Sequence, residues 1–449
     1  MRFMVSGTTQ SSQASYCLYY FVTGPNGAPA YVAFVISTGE TTPAVVPLGP
    51  AREIDALVAR WSEEAGRPPG SVGRRTENAD AAYRIAGEAL RRRIWDSLAP
   101  RLGGARRVFI VPDGALHLVS FATLPDKASG YLVEREAILH LLSAERDLVP
   151  PAGRPPIGRG LLILGAPDFE ARDMYAALMG VPGGRGQTVP GDAGDGPRPG
   201  SAPTFRGGRP ACAEFRSVRF DPLPETGLEA QAIADLWRGE PVTRFAGARA
   251  SEAAFKTHAP GRRVVHVATH GFFLGDGCPS AGAGQRGIGL LLPAPDQSLA
   301  LPTGENPLLL SGLVLAGANH RGAAGPDEED GILTAEEVAA LDLSGVEWAV
   351  LSACDTGAGE VDAGEGVLGL RRAFQVAGAE NVIMSLWPVE DRAGREWMKG
   401  LYEEHLRLGR PTSEAVRGAA LRVLEARRRA GLSTHPFFWG GWVATGYWR

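Results

Sequence analysis

Arg263-Val-Val-His-Val-Ala-Thr-His-Gly271 and Val346-Glu-Trp-Ala-Val-Leu-Ser-Ala-Cys354 are the stretches of this 449-residue chain whose reading decides the fold. Each opens with a short apolar run rich in β-branched residues, the pattern of a strand buried on both faces of a parallel sheet. The first ends at His270-Gly271 and the second at Cys354. After Cys354 come a glycine-rich turn and an expected helix over residues 364–377, with Val367, Leu370, Phe374 and Ala377 at helical spacing. A third strand over 381–386 stops at Trp387-Pro388. Two helices, 393–408 and 412–429, and a terminal strand near 442–447 complete the run. This βαβ order predicts an α/β fold with a mostly parallel sheet and helices on both faces.

Outward from these strands, the first 150 residues also alternate. Strand-like runs at 16–22, 31–37, 44–48 and 107–111 accompany helical ones at 54–64 and about 78–98. The strand at 107–111 stops at Pro112-Asp113-Gly114, a turn in which proline fixes φ and glycine accepts the left-handed region. A second α/β pass begins at Gly160, after a Pro/Gly-rich stretch, so we expect one subdomain over 1–158 and another over 159–449. Ten Gly and six Pro between Gly180 and Pro210 predict a flexible insertion there. Further loops are expected at 275–287 and 317–331. The second carries the acidic run Asp327-Glu-Glu-Asp330, whose simplest reading is a solvated turn.

Composition narrows the function. With 44% hydrophobic and 21% charged residues the chain is globular, which excludes general disorder and coiled coil. Lys+Arg 46 against Asp+Glu 50 leaves a net charge of −4, so no overall basic field exists for nucleic acid or acidic lipid, and neither is expected as a direct partner. No apolar run reaches the roughly 20 residues of a membrane helix, and the polar start does not resemble a signal peptide, so a cytoplasmic location is expected. Cys17, Cys212, Cys278 and Cys354 form no Cys-x-x-Cys pair, which leaves each to be judged alone.

In an open parallel sheet the functional crevice lies beyond the carboxyl ends of the strands. His270 and Cys354 both fall at such ends. An imidazole beside a thiol can help form the thiolate and protonate a leaving amine, and adjacent strands can unite residues 354 − 270 = 84 apart. The N–H groups of Gly271 and Cys354 would then supply an oxyanion hole. Singly, a cysteine or histidine behind a buried strand is as readily a core residue. His266 shares the strand face of His270, but four residues of strand separate them by about 13 Å, which argues against zinc. No metal or other cofactor is expected.

The ordered set Val264-Val-His-Val-Ala-Thr-His-Gly-Phe-Phe273, Leu351-Ser-Ala-Cys-Asp-Thr-Gly-Ala-Gly359, Gly364-Glu-Gly-Val-Leu-Gly-Leu-Arg-Arg-Ala-Phe374, Ala377 to Val389 and His435-Pro-Phe-Phe-Trp439 resembles the CHAT domain. That family belongs to the separase- and caspase-related clan CD cysteine peptidases. The resemblance extends back through Ile110 to Leu124 and begins near Tyr16. It implies a caspase-like sheet preceded by a degenerate protease-like subdomain, and a cysteine endopeptidase acting on one or a few proteins. His270 matches the catalytic histidine, Cys354 the nucleophile and Gly271 the oxyanion-hole glycine. Ser352 and Asp355 stand where the caspase motif has Gln and Arg, so the resemblance implies no caspase-like preference for cleaving after Asp. Asp391, in Leu386-Trp-Pro-Val-Glu-Asp391, matches an acidic position that receives an arginine side chain, although an Asp ahead of Ala393 equally suits a helix N-cap.

His117 has no partner cysteine nearby and reads as structural. Because CHAT domains commonly follow tetratricopeptide repeats and no repeat array is found in these residues, the resemblance further implies either an activating sensor of that type in trans or a longer polypeptide of which these residues are part, and a setting in bacterial defence or activation of a pore-forming effector. The alternative is a catalytically silent scaffold using a caspase-like surface to bind partners.

Overall fold

Apolar runs bounded by turn residues become the strands, and runs with apolar positions every three or four residues become the helices. The computed structural model describes residues 14–23, 27–70, 76–102, 104–126, 130–148, 156–172, 215, 218–273, 307–325, 328–353, 360–362, 366–387 and 389–448. Its strands are β1 (Ala14–Thr23), β2 (Pro29–Ser37), β3 (Ala44–Pro50), β4 (Arg107–Val111), β5 (Ile138–Leu141), β6 (Leu161–Pro167), β7 (Val242–Gly247), β8 (Val264–Ala268), β9 (His270–Phe273), β10 (Ser311–Val314), β11 (Ile332–Thr334), β12 (Trp348–Ser352), β13 (Glu360–Asp362), β14 (Gly366–Leu368), β15 (Asn381–Ser385) and β16 (Trp442–Gly446). The helices are α1 (Ala51–Gly66), α2 (Thr76–Ile94), α3 (Pro224–Leu236), α4 (Glu252–His258), α5 (Ala335–Ala339), α6 (Leu370–Val376), α7 (Asp391–Leu406) and α8 (Thr412–Arg429).

Eleven strands make one sheet in the order β3-β2-β1-β4-β5-β16-β15-β12-β8-β6-β7. From β15 to β7 every neighbour is parallel. β8, β12 and β15 are buried at every position, as strands covered on both faces must be. The antiparallel exceptions are the β1-β2-β3 meander and the β15-β16 pair. The two halves of the sheet join in its interior, where β16 runs parallel to β5 with Thr445 opposite Leu141. His140 Nε2 donates to Gly446 O across this seam at 3.0 Å.

The apolar faces of the helices close the core. α1 buries Ile54, Val58, Trp61 and Ala65, and α8 buries Ala415, Ala419, Ala420 and Leu424. Trp61 stands edge-on to Trp387, joining α1 to the end of β15. Two expectations change. The helix foreseen over 364–377 begins only at Leu370, because Gly366–Leu368 pairs with Glu360–Asp362 as an antiparallel hairpin. The loop foreseen over 317–331 contains a short 3-10 helix, Ala318–Ala323. The expected flexible insertion at 180–210 and the loop at 275–287 lie outside the described residues. Among the described residues no helix is long and apolar enough to cross a membrane.

Candidate active site

β8 and β12 lie side by side, with Val264 opposite Trp348 and Ala268 opposite Ser352, a constant offset of 348 − 264 = 84. The same number separates His270 from Cys354, each two residues beyond the last paired position. Cys354 and Asp355 lie outside the described residues, as do Cys212 and Cys278. The chain leading to Cys354 is firmly held. Ser352 is buried and its carbonyl accepts from Thr269 N at 3.3 Å, while Ala353 O accepts from Ser385 Oγ at 2.6 Å.

His270 does not sit on a bare strand end. After Ala268 the chain leaves the main sheet, and His270 opens β9 in a separate three-stranded sheet, β11-β10-β9. There His270 faces Val314 and Gly271 faces Leu313 on antiparallel β10. The Thr269 hydroxyl donates to Val314 O and so ties the step between the two sheets. The imidazole is 6% exposed, between the rings of Phe169 at 5.3 Å and Phe220 at 5.7 Å. Its Nε2 lies 2.9 Å from Asp221 O. A carbonyl only accepts, so Nε2 carries a proton.

These walls belong to a second apolar cluster, distinct from the main core, that includes Phe169, Phe215, Phe220, Phe272 and Val314. No motif announced Phe169, Phe220 or the Asp221 carbonyl. The one sequence signal was position, since Phe169 follows β6, the neighbour of β8. Ala166, at the end of that strand, holds φ +45° and its N–H donates to Thr226 Oγ1 at 2.8 Å. This strained residue accompanies a register break between Leu164 and Pro167, and both lie just ahead of Phe169.

The remaining candidates separate cleanly. Asp391 is the first residue of α7, whose N-cap is Glu390, so the expectation that Asp391 itself caps the helix is corrected by one position. The Asp391 side chain lies outside the described part. His266 is a satisfied core histidine, with Nε2 3.0 Å from Glu229 Oε1 and Nδ1 3.1 Å from Tyr402 Oη. His117 is buried and its Nδ1 accepts from Arg371 Nη2 at 2.9 Å. Burial first, then the Arg371 charge, holds its pKa well below the usual histidine value. Cys17 is core, and burial pushes its thiol up to about 12.

Glu252, Glu329 and Glu337 bring carboxylate oxygens together closely enough to hold a metal ion. Their common centre is already taken by Lys256 Nζ, at 3.2, 3.0 and 2.8 Å respectively. Burial alone would lower the Lys256 pKa, but the three carboxylates outweigh it and raise the value. Glu252 also accepts from Gly331 N at 2.6 Å. The acidic run expected as a solvated turn is thus partly internal: Glu329 binds α4 to the segment entering β11. The cluster braces the small sheet that carries His270.

Residues 84–447 match the family model of the CHAT domain. Tetratricopeptide repeat protein 28 of Homo sapiens is 25% identical over 355 residues, which take in 77% of this chain and 12% of that protein. Its Mus musculus counterpart is 24% identical, with the same shares covered. The chain therefore spans a small part of the curated relatives it matches. Among solved structures, Saccharomyces cerevisiae separase in its complex with securin gives a TM-score of 0.49 at 9% identity, covering 97% of this chain and 30% of that one. Gingipain R, an Arg-specific cysteine proteinase, gives 0.40 at 10% identity, covering 88% and 74%. With the family model matched across most of its length, the chain belongs to the CHAT domain family.

Proposed function

We propose that the chain is a cysteine endopeptidase with a His270–Cys354 dyad. His270 Nδ1 takes the proton of the Cys354 thiol, the thiolate attacks the peptide carbonyl carbon, and the N–H groups of Gly271 and Cys354 hold the resulting oxyanion. The C–N bond then breaks, and His270 Nδ1 delivers the proton that the departing amine takes up. Water, deprotonated by the same imidazole, cleaves the thioester and regenerates the thiol.

One observation carries the reading. A buried imidazole stands at the top of the strand next to the one leading to Cys354, and a backbone carbonyl fixes its Nε2. Ser352 and Asp355 flank the nucleophile in sequence and are proposed to line the substrate pocket. Asp391 is proposed to favour a basic side chain at the cleaved residue.

The substrate is one or a few proteins, in a defence or effector-activation setting of the kind the family resemblance implies. The enzyme is latent until a tetratricopeptide-repeat sensor acts on it in trans. The matched curated relatives, which are tetratricopeptide repeat proteins by name, support a link between such repeats and this fold, and are equally compatible with repeats acting in trans or in the same chain. Cleavage of a peptide library, read by mass spectrometry with and without candidate sensor proteins, tests the reading. Cuts after Arg or Lys that vanish in Cys354→Ala are expected. Identical digests from the wild type and Cys354→Ala under every condition would favour a silent scaffold.

A further inference from the structure

The short helix Ala318–Ala323 stands behind both aromatic walls of His270, bonded to the main chain of each. Gly317 enters it at φ +85°, a conformation that costs glycine little, and its N–H donates to Asp168 O at 3.0 Å. Asn319 N donates to Phe169 O at 2.9 Å, holding the first wall. The Asn319 side chain then brackets the second wall. Its Oδ1 accepts from Phe220 N at 2.8 Å and its Nδ2 donates to Phe220 O at 3.0 Å, immediately before the carbonyl of Asp221 that meets His270. Asn319 Nδ2 also donates to Glu170 Oε1 at 2.8 Å.

Arg321 completes the grip. It is 7% exposed, and its Nη2 donates to the carbonyls of Phe215 and Val218. Its Nη1 donates to Ala318 O at 2.6 Å, within its own turn. The guanidinium also lies 5.0 Å from the Phe215 ring centre and 5.3 Å from that of Phe220. A buried cation spending its donors on main-chain carbonyls is costly unless the geometry it fixes is required. Here it fixes the segment that presents Phe220 and Asp221 to His270.

We propose that Asn319 and Arg321 are positioning residues for the reaction, holding the Asp221 carbonyl against Nε2 so that the His270 ring keeps one orientation and stays protonated at Nε2. This rests on the proposed role of His270, and extends it to a network that joins residues 168–169, Phe215, residues 218–221 and residues 317–321. An imidazole released from that carbonyl divides between two tautomers and two ring orientations, only one of which is competent. Loss of near-attack geometry of this kind costs about 10- to 100-fold in rate.

The test uses the full chain labelled with 15N-histidine, comparing wild type with Asn319→Ala, Arg321→Met and the milder Arg321→Lys and Asn319→Asp. The ring 15N shifts of His270, assigned by their loss in His270→Gln, report the tautomer at neutral pH. Alkylation of Cys354 by iodoacetamide across pH reports the imidazole's influence on the thiol. The expected result is one tautomer, protonated at Nε2, in the wild type. Mixed tautomers, about 10- to 100-fold slower alkylation and a displaced pH profile follow in the variants, with Arg321→Lys partly restored. Should Asn319→Ala or Arg321→Met fail to fold, the two milder variants decide. An unchanged tautomer and pH profile in folded variants, with only the melting temperature lowered, would overturn the proposal. If the tautomer changes while Cys354 is unreactive even in the wild type, the positioning role stands and the peptidase reading fails.

Discussion

Acid should weaken the seam between the two halves of the sheet, and His140 sets the scale. Its side chain is fully buried on β5, with Nε2 donating to Gly446 O at 3.0 Å and its ring edge-on to Phe109. Burial depresses its pKa from 6.5 to about 4, against the smaller upward pull of the bond to Gly446. Because the folded value lies below the unfolded one, the unfolded chain binds the proton first. The contribution is complete above the unfolded value and is lost as pH falls toward the folded one. The gap corresponds to about 3 kcal/mol in all, most of which is gone by about pH 4.5. His140→Phe preserves the ring contact and removes the titration, but it leaves Gly446 O without this donor, costing about 1 kcal/mol at any pH. Urea unfolding followed by tryptophan fluorescence should therefore find the variant less stable at about pH 7 and more stable than wild type at about pH 4.5. A stability difference that stays constant over that range would refute the reasoning.

Lys256→Met should destabilise the protein by about 3–5 kcal/mol, since it strands three partly or fully buried carboxylates, and urea unfolding measures this directly. Cys17, whose thiol burial pushes up to about 12, should resist iodoacetamide in the native protein and react only after denaturation, as peptide mapping will show. Gly271→Ala should slow peptide cleavage or probe labelling while leaving the melting temperature nearly unchanged, because it perturbs the proposed oxyanion donor without emptying the core. Equal rates in the two proteins would remove Gly271 from the mechanism.

Chemistry-bearing strands were legible in the sequence because burial on both faces forces uninterrupted apolar runs, and these ended where the register later put them. The 84-residue spacing of His270 and Cys354 proved equal to the register offset of β8 and β12. What surrounds His270 was not legible. Phe169, Phe220 and the short helix carrying Asn319 and Arg321 come from separate segments whose local patterns carry no signature of chemistry, and only the tertiary fold assembles them around one imidazole. The shortened α6 has a similar cause. Val367 fitted a helical spacing, but the hairpin pairing of Val361 with Val367 outweighed that local preference. Glu329 looked like part of a solvated run because its partner, Lys256, lies 73 residues away.

The central claim is that His270 activates Cys354, and covalent labelling with peptidyl acyloxymethyl ketones tests it most directly. Probes carrying Arg, Leu or Asp at the anchor position would be mapped by mass spectrometry in the wild type and in His270→Ala. The account predicts selective modification of Cys354, strongest with the Arg probe and lost in His270→Ala. Labelling of Cys354 no faster than that of Cys212 or Cys278, and unchanged by His270→Ala, would contradict it.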